Sequence, residues 1–157
     1  MKKILMGLLT FCAMFVGCEN KKEYVPEVVS TNGSNAFTVD GKEYFGKVET
    51  QYFGDEKTGA YSIVCQQDDP LVLLQITFAN EEDAGSEKHL TLTQNFMRLE
   101  NGEVYISLSG TAMGALEFVS TEAKGDVSVK DRTVTIKNLK LTNRERAIKT
   151  VSAILSF

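Results

Sequence analysis

The chain has no tryptophan, one histidine, two prolines and three cysteines in 157 residues. Each scarcity excludes something. A Ser-His-Asp or Cys-His arrangement would have to use His89, the one histidine. Zinc sites need several His, Cys or carboxylate ligands, which this inventory does not offer. Without tryptophan the usual sugar-stacking platform is missing. No glycine-rich phosphate loop is present either, since Gly110–Gly114 lacks the Lys-Ser/Thr ending and a following helix. No segment beyond residue 34 carries a helical apolar stripe. What remains is 43% hydrophobic and 24% charged, an ordinary globular composition at the size of one domain.

The N-terminus reads as an address. Lys2 and Lys3 precede an apolar run from Ile4 to Val16, thirteen residues long. A bilayer-spanning helix needs about 20 residues, whereas thirteen matches a secretory signal. The run ends Phe15-Val16-Gly17-Cys18. Residues 1–18 resemble a bacterial lipoprotein signal peptide with its lipobox, although Phe15 stands where that family usually has Leu. The resemblance implies cleavage between Gly17 and Cys18 and acylation of Cys18, so the protein's first partner would be a membrane, held through N-terminal acyl chains. Two hydrophobic signals anchor stably where one binds marginally. Glu19, rather than the Asp associated with inner-membrane retention, leans the expectation toward the outer membrane of a Gram-negative envelope.

This divides the chain into a signal peptide (1–17), a lipidated flexible tether (18–34) and a folded domain (35–157). Residues 19–34 show no sustained period and carry Pro26 and Asn32-Gly33. They reach at most ~55 Å. Val25, Val28 and Val29 could instead add an edge strand. Cys12 leaves with the signal, so Cys65 is the one thiol left in the domain, and its apolar neighbours predict a buried, inert residue.

From Ala36 onward the pattern is strand after strand. Asp40-Gly41 separates Ala36–Val39 from Lys42–Phe45, a strong two-residue hairpin signal. Asn101-Gly102 repeats it between Phe96–Glu100 and Glu103–Leu108, and Lys124-Gly125 and Lys130-Asp131 mark further reversals. Val72, Leu74, Ile76 and Phe78 share a face, as do Val104, Ile106 and Leu108, and Val151, Ala153, Leu155 and Phe157. In 132–141 the apolar phase slips after Ile136, which predicts a bulge near Lys137-Asn138. Glu81–Lys88 and Asn143–Ile148 can each form one helical turn. The fold class is therefore all-β: a single antiparallel sandwich or barrel of about nine strands after a cleaved signal peptide. The opening AFTVDGKEYF and the closing GDVSVKDRTVTIKNLKLTN and VSAILSF resemble small β-rich lipoproteins of Gram-negative bacteria, families that bring no catalytic residues with them.

Charge is unevenly placed: residues 19–123 hold 7 basic and 18 acidic side chains, residues 124–149 hold 8 and 3. The favoured arrangement is internal compensation across the sheet, against a basic face turned toward anionic lipid or an acidic partner. An exported acidic protein is not expected to bind nucleic acid. The carboxylates of Asp55-Glu56, Asp68-Asp69 and Glu81-Glu82-Asp83 read as solvated loop charge, with calcium at Glu81–Asp83 as the sharper alternative. Tyr44 and Tyr52 share one face of 42–53 with Val48, and Phe45 and Phe53 share the other. One set must build the core; the tyrosines, with Tyr105, are the candidate ligand surface.

These readings converge on a non-enzymatic, lipid-anchored envelope protein that binds a protein or cell-wall partner, without cofactor or metal. A lipocalin-like carrier with a barrel cavity is the alternative. A periplasmic enzyme inhibitor using Gln66–Pro70 or Ser109–Gly114 is a third.

Overall fold

The computed structural model describes residues 29–54, 59–85, 90–122 and 125–157, with residues 29–34 described by backbone alone. The strands are β1 (Val29–Val39), β2 (Lys42–Phe53), β3 (Ala60–Asp68), β4 (Leu71–Phe78), β5 (Thr91–Leu92), β6 (Glu103–Ser109), β7 (Phe118–Ser120), β8 (Asp126–Lys130), β9 (Thr133–Thr142) and β10 (Ile148–Ser156). A one-turn helix α1 (Glu81–Gly85) and a 3-10 turn (Thr111–Met113) interrupt them. Among the described residues no helix is long and apolar enough to cross a membrane.

The choice between sandwich and barrel is settled by one pairing. Strands run β10-β1-β2-β3-β4-β6-β7-β9, and β9 pairs back onto β10, closing an eight-stranded antiparallel barrel. Closure removes the free edges that an open sheet must otherwise protect. β8 extends β9, and the short β5 lies parallel to β6. The chain enters at Val29 and leaves at Phe157 at the same end of the barrel. The turns at 40–41 and 69–70 and the loop 143–147 lie at the other end.

Alternation fills the interior. Phe37, Val48, Tyr61, Ile63, Leu74, Ile76, Phe78, Ile106, Leu108, Ile136, Leu141 and Leu155 are at most 2% exposed and belong to one apolar cluster. Eight strands enclose a space just wide enough for side chains to occupy, and here they occupy it. Gly46 falls at an inward position of β2. A Cβ there would lie 2.6 Å from the Gln66 carbonyl oxygen and 2.8 Å from Cys65 Sγ, so the close approach of β3 requires glycine.

Turn chemistry explains the hairpins. Asp40 and Gly41 have φ of 50° and 81°, the left-handed pair that matches strand twist. Asp131 and Arg132 repeat this without glycine, at 48° and 54°. Arg132 is held by its Nε–H to the Phe157 carbonyl (2.8 Å), its guanidinium lying over the Phe157 ring. The expected bulge is at Lys137-Asn138: Leu139 pairs with Val151 and Ile136 with Ala153, leaving one extra residue on β9. Asn138 has φ of 47°, and its N–H donates to Ser152 Oγ (2.9 Å).

Three expectations are corrected. Asn101-Gly102 turns the chain, with Glu103 N–H on the Glu100 carbonyl at 2.9 Å, but Phe96–Glu100 is not a strand. The pairing slot it would fill beside β6 is taken at one side by β4 and at the other by β5 and β7. Asn143–Ile148 is not a helical turn: Asn143 Oδ1 accepts from the Glu145 and Ala147 N–H groups (3.0 and 2.9 Å), an asparagine-closed hairpin loop. β1 begins at Val29, inside the stretch assigned to the tether, where it pairs with Thr50. The turn at Glu81 does form, capped by Asn80 Oδ1 accepting from Asp83 N–H (2.9 Å).

Candidate functional site

Tyr44 and Tyr52 do not form a ligand surface. They are 5% and 9% exposed, inside the barrel with Val48, while Phe45 on the opposite face is 60% exposed. The phase of β2 is set by Val48 and by Gly46, both inward, which carries the tyrosines in and the phenylalanines out. The hydroxyls tolerate this because both residues sit near barrel ends. Tyr52 Oη–H donates to the Glu81 carboxylate on α1, and Tyr44 lies beneath Lys42 Nζ while stacking on Phe37. The shared parity of Tyr44, Val48 and Tyr52 was the available signal.

Tyr105 is on the outside of the barrel but only 7% exposed. Phe96, from the loop between β5 and β6, packs edge-on against both Phe53 (5.3 Å between centroids) and Tyr105 (5.4 Å). Phe53 is on β2 and Tyr105 on β6, so the Phe96 ring bridges β3 and β4. Beneath it Ser62 and Thr77 share a 2.6 Å hydrogen bond and are fully buried, and Gln75 Nε2 donates to Thr77 Oγ1 (3.0 Å). Burial pushes the Tyr105 phenol up to about 12, with its bond to Glu117 (2.9 Å) acting in the same direction. Phe96 packs over one end of this wall; toward the other end Gln51, Val64 and Leu73 line an open groove of about 260 Å³.

The opposite wall is bare. Phe45 on β2, Ala36 on β1, Ile154 on β10 and Thr135 on β9 form one cross-strand row. Phe45 and Ile154 are 60% and 64% exposed. Ala36 between them makes a notch, and with Thr38, Ser152 and Lys137 it lines an open groove of about 340 Å³. Glu43, Thr38 and Ser152 form the next row, running to the bulge at Lys137-Asn138. The centre of this wall carries only Ala, Thr, Ser, Ile and Phe. Loss of charge from the centre with an aromatic present is the composition of an interface core, and exposed apolar groups gathered on one face mark contact sites.

The other candidate features are accounted for by structure. Cys65 is fully buried, its thiol pushed up to about 11 by desolvation, so it is a poor nucleophile. Asp83 is 2% exposed and accepts from Gly102 N–H (2.8 Å), and Glu81 holds Tyr52. Among the described residues no group of three or more His, Cys, Asp or Glu is gathered to hold a metal ion. Gln66–Pro70 is not a protruding loop. Strands pair up to Asp68 and Leu71, and Gln67 Nε2 donates to the Asp69 and Pro70 carbonyls (3.3 and 3.2 Å). Ser109–Gly114 holds a 3-10 turn with Met113 buried. The basic C-terminal region is partly compensated. Lys149 bridges Asp40 at 2.7 Å, which holds that carboxyl below its usual range, and Lys137 lies across from Asp126. Gly17, Cys18, Asp55-Glu56 and His89 lie outside the described residues.

The fold and its surface thus define a closed eight-stranded barrel with an apolar interior, Phe96 packed over part of one wall and an exposed apolar row on another. Compared with known proteins, the chain matches no family model, no curated protein and no solved structure.

Proposed function

We propose that this protein is a non-enzymatic, lipid-anchored component of the cell envelope whose barrel docks a protein partner through its bare wall. The observation that carries the reading is the exposed row of Phe45, Ala36 and Ile154 beside an open groove, on a barrel whose interior is packed with apolar side chains. A carrier of the lipocalin kind would enclose most of its ligand, and the packed interior favours a surface contact instead. Anchoring rests on residues 1–18 and on Cys18 as the acylated residue, with the outer membrane as the expected location. β1, which floors the groove, is the strand into which the tether leads, so the bare wall would be held close above the anchor.

Two measurements test this. Growth with an alkyne fatty acid should label the wild-type chain and not Cys18→Ala, and an unlabelled wild type would overturn the anchor. A photo-crosslinking residue at Ile154 should form a discrete protein adduct in intact cells, while the same residue at Met97, exposed on the loop that carries Phe96, should not. Equal patterns at the two positions would overturn docking through the bare wall.

A further inference from the structure

The most exposed large apolar side chain among the described residues is in a loop, not on a strand. Met97 is 88% exposed, against 64% for Ile154 and 60% for Phe45. It stands at the tip of a β-turn closed by Arg98 N–H on the Asn95 carbonyl (3.3 Å), with Phe96 and Met97 as the central pair. Phe96 packs against Phe53 and Tyr105, and its neighbour is turned out. The loop is pinned on both sides of the tip. Asn95 N–H donates to Thr93 Oγ1 (3.2 Å), Gly102 N–H to the Asp83 carboxylate (2.8 Å) and Asn80 Nδ2 to Asn101 Oδ1 (3.0 Å). Met97 is therefore presented by a packed turn. Arg98 beside it is exposed and makes no ion pair among the described residues, and Leu99 is half-buried.

The tip has a place as well as a composition. Thr50 pairs with Val29, and Phe53 lies further along β2 in the same direction, so the turn that packs on Phe53 sits at the end of the barrel where the chain enters. Residues 19–28 join Val29 to Cys18 and reach ~40 Å at most. We infer that the turn 95–98 is a membrane contact, with Met97 entering the headgroup layer of the bilayer that holds the Cys18 acyl chains. The inference rests on the lipid-anchor reading above and adds a second contact with the same membrane. One thioether side chain would not hold a free domain at a bilayer. On a short tether the contact becomes intramolecular, and a weak one suffices. Arg98 supplies a donor for lipid phosphate at the depth where Met97 meets the apolar boundary. Glu100 balances its charge, so the contact needs no anionic lipid.

The test uses the full-length acylated chain reconstituted into phosphatidylcholine vesicles. A polarity-sensitive fluorophore is placed at Met97→Cys or, at the opposite end of the barrel, at Arg144→Cys. Both sites are exposed, and Cys65 is buried, so the introduced thiol takes the label. Flotation of the vesicles reports first whether the chain is anchored. On floated vesicles, position 97 should emit severalfold more strongly and at shorter wavelength than position 144. Lipid carrying a shallow nitroxide should quench most of the emission at 97 and leave 144 unchanged, in low salt and in high salt alike. A floated chain whose position 97 is unquenched, or quenched no more than position 144, would overturn the inference and leave the anchor standing. A short-wavelength but unquenched probe at 97 would overturn it in favour of a protein contact. A chain that does not float would overturn the anchor, and the inference with it.

Discussion

Ser62 and Thr77 lie on the outside of the barrel and are fully buried, while Phe45 and Ile154 lie on the outside and are more than half exposed. Polarity would place them the other way round. The difference is what lies over each wall. The loop that carries Phe96 crosses β3 and β4, and the hydroxyls beneath it satisfy one another, so their burial carries no unpaired polar group. Nothing among the described residues crosses the row Phe45–Ala36–Ile154–Thr135. A wall finished by the chain itself is part of the domain's own stability. A wall with apolar groups left in water contributes little to that stability, so truncating those groups should leave it intact.

The sharpest way to break this comparison is to truncate one residue from each region. Leu74→Ala empties a fully buried interior site and should destabilise the domain by ~3 kcal/mol, with the cavity adding to the lost transfer energy. Ile154→Ala should change stability by less than about 0.5 kcal/mol, as for exposed sites generally. Urea denaturation of both variants checks this. A large loss for Ile154→Ala would mean the bare wall is structural.

Phe96→Ala should have the next largest effect, about 2 kcal/mol, because it removes an aromatic bridge and lets water reach a buried hydroxyl pair. It should also lower the Tyr105 phenol from about 12 toward 10. The sign follows from linkage: the folded value is raised, so that contribution to stability is complete below pH 10 and is lost as pH rises through about 12. Spectroscopic titration of the tyrosines should show the Tyr105 ionisation moving down in the variant.

Thiol accessibility sharpens the comparison further. Cys65 should resist alkylation at pH 8 until the barrel opens, since its thiol is buried and stays protonated up to about pH 11. With Cys65 as the internal standard, Ile154→Cys should react at once. Ser62→Cys should react at a rate set by lifting of the Phe96 loop. Equal rates for positions 62 and 154 would abolish the distinction between the walls.

The smallest effect belongs to Asp40, whose bridge to Lys149 is part-exposed on both sides. Asp40→Asn should cost less than about 1 kcal/mol. The hydrogen bonds from Lys149 and the Thr150 backbone hold the carboxyl below the usual carboxylate range, so the stabilisation is present above the ordinary Asp value and is lost as pH falls through the lower folded value. In the variant, the part of the acid unfolding slope due to this group should disappear.

Much of the fold was legible because strand chemistry is local. The Asp40-Gly41 turn, the inward faces of β4, β6 and β10 and the bulge at Lys137-Asn138 all follow from period-two patterning and from which residues accept positive φ. Phe96–Glu100 misled because a turn signal beside an apolar residue does not say whether a pairing slot is free. Tyr44 and Tyr52 misled because both faces of β2 carry aromatic residues, so polarity could not choose between them. The covered wall and the bare wall were not legible, because β2 and β3 look equally half-apolar in sequence.

What the sequence determined by itself was the class of structure, most of its turns and the inertness of Cys65, since each depends on residues close together in the chain. Closure of the barrel through β9 and β10, the burial of Tyr105 under Phe96 and the assembly of Phe45, Ala36, Ile154 and Thr135 into one row were decided only by tertiary structure. Those contacts join residues up to 118 positions apart, as in the pair Ala36–Ile154. Their free energy depends on which surfaces meet, and no local pattern encodes that.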